Sequence, residues 1–175
     1  MHDIERTANL LGAASLALTD LALGGATSVR RLSASSSAAL VSLFANPGLS
    51  VSELGRRVGL SQPAAARMVD SLEADDLVER IPSPANRRWM TVRPTQQGNR
   101  LAQQLLRGRS APLVDAVAKL DEEDQQALAA LLEKILAHVY EETGQGQRIC
   151  RLCDRKSCTR SAPCPIGLAE RAEDR

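Results

Sequence analysis

The chain has 175 residues, 43% of them hydrophobic, and a formal net charge of +1. That length suits one compact domain with an added element or two small lobes, and the apolar content excludes global disorder. No run reaches the roughly 18 apolar residues of a membrane span. The apolar stretch 8–26 is no signal peptide, because Asp3 and Glu5 precede it and Asp20 interrupts it. A cytoplasmic protein is expected, without a membrane partner.

Phe44, Trp89 and Tyr140 are the only aromatic residues, so a core must come from Leu, Val, Ala and Ile, which favours helix packing. Charge is unevenly spread: residues 51–100 carry +2, residues 101–142 carry −4 and residues 143–175 carry +3. A near-zero total therefore does not exclude a nucleic-acid partner, since phosphate responds to local surface charge.

Ile4, Ala8, Leu11, Ser15, Leu18 and Ala22 recur at steps of three and four and predict a helix over 4–23, ended by Gly24-Gly25. A second helix is expected over 35–45, stopped by Asn46-Pro47-Gly48. Ser50 or Ser52 can cap a short helix whose face is Val51, Leu54 and Val58, and Gly59 turns the chain. Ser61 can cap the next helix, with Pro63 in its first turn and Ala65, Val69 and Leu72 on one face. Two short helices across a glycine turn make a helix-turn-helix candidate.

Residues 77–81 and 89–93 read as two strands around the loop 82–88, a hairpin with a basic tip. Pro94 ends it. Thr95 opens a long helix to about Ala118, and Asp121 caps another with acids in its first turn and an apolar stripe of Leu128, Leu131, Leu132, Ile135, Leu136 and Val139. Residues 143–147 read as a linker. Beyond it lie all four cysteines of the chain, Cys150, Cys153, Cys158 and Cys164.

A helix-turn-helix lays its second helix in the DNA major groove. The first turn of that helix offers Ser61, Gln62, Ala64 and Ala65, with Arg67 one turn on. Gln pairs with adenine and Arg with guanine, and alanine keeps the helix slim. Arg56 and Arg57 on the preceding helix can meet phosphates, and Arg87 and Arg88 at the hairpin tip suit a minor groove.

Residues 35–100 resemble the winged helix-turn-helix of MarR-family transcriptional regulators, and with the flanking helices the resemblance spans about residues 4–142. It implies a mainly α fold, an α+β winged helix with a helical dimerisation region. It further implies a homodimer on a palindromic double-stranded DNA site, commonly a repressor that releases DNA when a small-molecule effector or an oxidant acts. Carried over by position, base contacts fall to Ser61, Gln62, Ala64 and Arg67, and wing contacts to Arg87 and Arg88. The family wing usually reads Asp-x-Arg. Here Asn86-Arg87-Arg88 stands instead, so the wing is expected to be looser or to depend more on Arg87.

The organisation expected is therefore 1–34, an N-terminal dimerisation helix; 35–94, the winged helix-turn-helix; 95–142, the C-terminal dimerisation helices; and 143–175, linker and cysteine module. The family pattern does not require the last. Its spacing, C-x2-C-x4-C-x5-C, supplies one bidentate thiolate clip and two further sulfurs. The set fits Zn²⁺ or an iron–sulfur cluster, the latter often ending in Cys-Pro as Cys164-Pro165 does here. Free or reversibly oxidised thiols are the third alternative. Arg148, Arg151, Arg155, Lys156 and Arg160 would favour an anionic centre.

The centre is expected to sense metal or redox state. The alternative is a structural zinc site, with the effector bound between dimer and DNA-binding regions. His2 and His138 are the only histidines and are expected at the surface or in packing rather than as ligands, since four cysteines suffice. No His/Glu constellation accompanies the cysteines, so an enzyme is not expected.

Overall fold

A computed structural model describes residues 3–27 and 32–173. His2 lies outside the described residues. Helix α1 spans Ile4–Thr27, running through Gly24-Gly25 rather than stopping at 23. It lies along the later helix α5 (Gln96–Val117). Such packing outweighs the roughly 1 kcal/mol that each interior glycine costs.

Helix α2 (Ala34–Ala45) starts at Ser33, whose hydroxyl accepts from the Ser36 amide at 3.0 Å. Buried residues run from Ser37 to Leu43 on every side, which makes α2 the central helix. Residues 46–49 then cross to the hairpin: the Gly48 amide donates to the Val92 carbonyl at 3.0 Å, and the Val92 amide to Leu49 at 2.8 Å.

Helix α3 (Val51–Val58) is capped by Ser50, not Ser52, with the hydroxyl accepting from the Glu53 amide at 3.1 Å. It ends on Gly59 at φ 73°, the left-handed region open to glycine. Helix α4 (Gln62–Ala74) follows. Strands β1 (Val78–Pro82) and β2 (Met90–Pro94) pair antiparallel from Val78 opposite Pro94 to Pro82 opposite Met90.

Thr95 caps α5, accepting from the Gly98 amide at 3.0 Å while donating to the Asp76 carbonyl at 2.7 Å. Asp121 caps α6 (Glu122–Thr143), accepting from the Asp124 amide at 2.8 Å. Three short helices close the chain: α7 (Gly146–Ile149), α8 (Arg155–Cys158) and α9 (Pro165–Glu173).

The core joins α2, α3, α4, the hairpin and the first half of α5. Leu40, Leu43, Leu54, Val69, Leu72, Leu77, Val78, Val92 and Leu105 are fully buried there. The outer helices differ. Leu16 is 73% exposed on α1 and Leu131 56% exposed on α6, and Ile4, Leu10, Val114 and Leu132 are exposed with them.

The cysteine segment is not an appendage on a loose linker. Gly144 caps α6 at φ 59°, and Gly146 is buried against Tyr140, Ile166 and Glu170. Helix α7 packs on α3, α9 packs on α6, and Leu152 lies against the winged-helix core. The segment thus folds back onto the helix-turn-helix.

Candidate nucleic-acid interface and four-cysteine site

Helix α4 separates a packed face from a free one. Ala65, Met68, Val69 and Leu72 are buried, while Ser61, Gln62 and Arg67 are exposed and Ala64 half-buried. Ala65 cannot reach a base as its position in the first turn suggested. A methyl group placed on Gly55 of α3 would lie 2.9 Å from its Cβ, so the two helices meet there. Ser61 stands at the N-cap, but its hydroxyl makes no cap hydrogen bond. The groups left outward are those suited to base edges and phosphates.

The preceding helix departs from expectation. Glu53 binds both Arg56 and Arg57, the latter through Nε at 3.0 Å. Arg56 stays exposed and available to phosphate. The Arg57 side chain is only 17% exposed and lines a cavity shared with the four cysteines. Burial, and then the charge of Arg155, hold its guanidinium below the ordinary value.

The wing is ordered by its own backbone. Asn86 Oδ1 accepts from the Arg88 amide at 3.0 Å, its carbonyl accepts from Trp89 at 3.0 Å, and the Ser83 amide donates to the Trp89 carbonyl at 2.7 Å. Asn86 therefore shapes the turn instead of steering a guanidinium, and Arg87 and Arg88 are both exposed. Arg80 fixes the wing to the recognition helix by pairing with Asp70 at 2.6 Å and with Glu73. No local pattern signals that clamp, because its partners lie ten and seven residues away on another element.

All four cysteines are free thiols and line one cavity of about 60 Å³. That is too small for a drug-sized ligand, which takes roughly 300 Å³ or more. Other walls include Val41, Ser42 and Ala45 of α2, Asn46 just after it, and Arg57 of α3. Local hydrogen bonds fold the segment: the Cys153 amide donates to the Cys150 carbonyl at 2.9 Å, closing the C-x2-C turn. Asp154 caps α8, accepting from the Ser157 amide at 3.2 Å and hydroxyl at 2.7 Å. The Gly167 amide donates to Cys164 Sγ at 3.5 Å.

The thiols interact. Cys153 donates to Cys150, which lowers the Cys150 pKa against the cost of burial. The same bond, with burial, raises that of Cys153. Burial and the neighbouring Cys153 push Cys158 up to about 11. Among the described residues no three Cys, His, Asp or Glu side chains already stand in the mutual arrangement of a metal-ligand set. The donor chemistry nonetheless fits a thiophilic metal, since the four sulfurs share one cavity with cations beside them. His138 lies exposed on α6, its Nδ1 3.7 Å from a Glu141 carboxylate oxygen.

Residues 32–89 match the MarR family. The chain is 23% identical over 100 residues, 57% of this chain and 67% of the relative, to YybA of Bacillus subtilis (strain 168), an uncharacterized HTH-type transcriptional regulator. Its fold is similar to that of RV1404 from Mycobacterium tuberculosis, with TM-score 0.69, 21% identity, and coverage of 82% of this chain and 96% of that one. It is also similar to a mutant of S. aureus MepR bound to an oligodeoxyribonucleotide, with TM-score 0.58, 18% identity, and coverage of 76% and 97%. MepR has also been solved bound to ethidium bromide, with the same TM-score, 19% identity, and coverage of 75% and 95%. No described helix is long and apolar enough to cross a membrane.

Proposed function

We propose that this chain, whose residues 32–89 match the MarR family, is a DNA-binding transcriptional regulator and a cytoplasmic repressor. It binds a palindromic operator as a homodimer, and its four cysteines hold a zinc–thiolate or iron–sulfur centre that senses metal or redox state. The observation that carries this reading is the position of the cysteine cavity. Its wall is made by α2 and α3, so whatever occupies it touches the DNA-binding unit directly. Homodimerisation is supported by the exposed apolar residues of α1, α5 and α6, which exceed the scattered exposure normal for a monomer. DNA contact is supported by the outward Ser61, Gln62 and Arg67 with the basic tip Arg87–Arg88, and by the nucleic acid bound to MepR.

The test is a gel-shift titration on the upstream region of its own operon across a salt series. Arg67→Ala should weaken binding by about 1–3 kcal/mol and relax preference at one base pair. Arg88→Ala should weaken binding to all sequences alike and reduce the salt slope by about one. A folded dimer with no salt-dependent binding there would overturn the reading. Anaerobic purification with metal analysis separates a coloured cluster from stoichiometric zinc in a colourless protein.

A second reading is favoured by one observation. An open cavity of about 440 Å³ lies between the start of α2 and α4, lined by Leu32, Leu60, Ala64, Arg67 and Met68. An effector bound there would cover Arg67 itself, and the cysteines would then be structural. In that case operator binding ignores oxidant and metal loading once the protein is folded.

A further inference from the structure

The charges around the cysteine cavity come from three parts of the fold. Arg57 of α3, Arg155 of α8 and Arg151 line it, and Arg109 of α5 lies within electrostatic reach of Cys153. The opposing carboxylates are few, and Asp154, next to Arg155 in the chain, is engaged by the Ser157 amide and hydroxyl. Glu53 accepts from Arg57 Nε at 3.0 Å but is shared with Arg56. Glu133 acts on Cys158 and Glu170 on Cys150, at the side facing α6 and α9.

Arg57 and Arg155 thus bring like charges to one small cavity, and the Arg57 side chain is largely buried there. Arg155 is exposed beside it, and two like charges brought to one cavity favour an anion that shares the space. Neutral thiols do not supply that anion. Four thiolates on a divalent metal do, and so do four thiolates on a dicationic iron–sulfur core, each a net dianion.

We infer that Arg57 is the counter-cation of a dianionic tetrathiolate centre and the residue through which that centre acts on the helix-turn-helix. Arg57 is well placed for this. It precedes Val58, which is buried in the core, and Gly59, the left-handed turn that aims α4. Arg148 of α7 lies over the same turn, its Nε 3.4 Å from where a Gly59 side chain would begin. With the centre bound, Arg57 and Arg155 share one anion, and α3, α8 and α7 are held as a unit. Without it the two guanidinium groups face each other across uncharged sulfur, and the segment separates from α3 and releases Arg148 from the turn.

The inference rests on the reading that the cysteines hold a metal–thiolate centre, and its test separates the two. Full-length wild type, Arg57→Gln, Arg57→Lys and Arg155→Gln are prepared metal-free. Each is then loaded with zinc alone or with iron and sulfide under anaerobic conditions. Zinc affinity is measured by chelator competition, and operator affinity is measured for loaded and metal-free protein.

In wild type the loaded and metal-free forms should differ in operator affinity by about tenfold or more. In Arg57→Gln that difference should fall below about twofold, and zinc affinity should drop about tenfold, the scale on which one close charge contributes. Arg57→Lys, which keeps the charge, should restore most of both. If Arg57→Gln fails to fold, Arg155→Gln removes another cation of the cavity from outside the winged helix and should show the same two losses. Wild-type zinc affinity together with an undiminished difference in a folded Arg57→Gln or Arg155→Gln protein overturns the inference and leaves the metal-centre reading intact. A wild type that takes up neither zinc nor iron and sulfide overturns both.

Discussion

Between Ala38 and Leu106 the chain buries most of its large apolar side chains, with Trp89 and Met90 of the wing exposed, whereas between Gly144 and Glu170 only Gly146 and Ile166 are buried. The first region has enough apolar burial to fold on, at about 1.5–3 kcal/mol for each fully buried Leu, Val or Met. The second has two four-residue helices, a nine-residue one and a set of thiols. Its order rests on caps, on contact with α3 and α6, and on what the sulfurs hold. One region is thus a scaffold held by its own apolar core. The other is a marginal element set against it, which is what a conditional signal needs.

Two glycines sharpen that contrast, one in each region. Gly98 sits in the first turn of α5, and a methyl group there would fall far inside contact with the Leu77 carbonyl. Neither backbone can yield, because the Leu77 carbonyl also accepts from the Thr95 amide at 3.1 Å. Gly98→Ala should cost about 3 kcal/mol, seen as a lowered urea midpoint at unchanged slope for the whole protein. An unshifted midpoint would mean that α5 can slide on the hairpin.

Gly146→Ala places its methyl 2.5 Å from Glu170 Oε1 and 2.8 Å from Ile166 Cγ2. These are side-chain atoms and can move, so the cost should be about 1–2 kcal/mol. It should fall on α7 and α9 alone. Amide exchange should quicken over residues 146–173 and stay unchanged in α2 and α4. If Gly146→Ala instead lowers the global midpoint as far as Gly98→Ala, the two regions are one cooperative unit and the contrast fails.

Much of the scaffold could be read from the chain because its signals are local. Ser50, Thr95 and Asp121 each accept from the amide three residues on, and Gly59 adopts the turn that its place between two apolar stripes demanded. Signals that depend on distant partners misled. Gly24-Gly25 marks a helix end by local rule, yet α1 continues along α5. Residues 143–147 look like a linker by composition, yet Gly146 is a close-packed site.

Arg57 shows why the cysteine site was only half legible. The four sulfurs were evident from spacing. Their docking against α3 was not, because Leu152 and Ile166 are too few and too isolated to form a periodic signal. Arg57 follows Leu54 by three residues and so borders the apolar face of α3, but nothing local says that a thiol cavity waits there.

The smallest expected effect concerns two serines of one backbone geometry. Ser50 (φ −72°, ψ 159°) and Ser61 (φ −63°, ψ 156°) both stand at helix N-caps, yet only the Ser50 hydroxyl accepts from the helix. Ser50→Ala should cost about 1 kcal/mol of stability, and Ser61→Ala only a few tenths. Operator binding should reverse the order, because the Ser61 hydroxyl is exposed at the start of α4 and unspent. If Ser61→Ala proves as destabilising as Ser50→Ala in urea, the hydroxyl caps α4 in solution and Ser61 leaves the set of DNA contacts. If it is stable but weakens the gel shift, the free hydroxyl marks a position where the scaffold gives up a cap and the interface gains a donor.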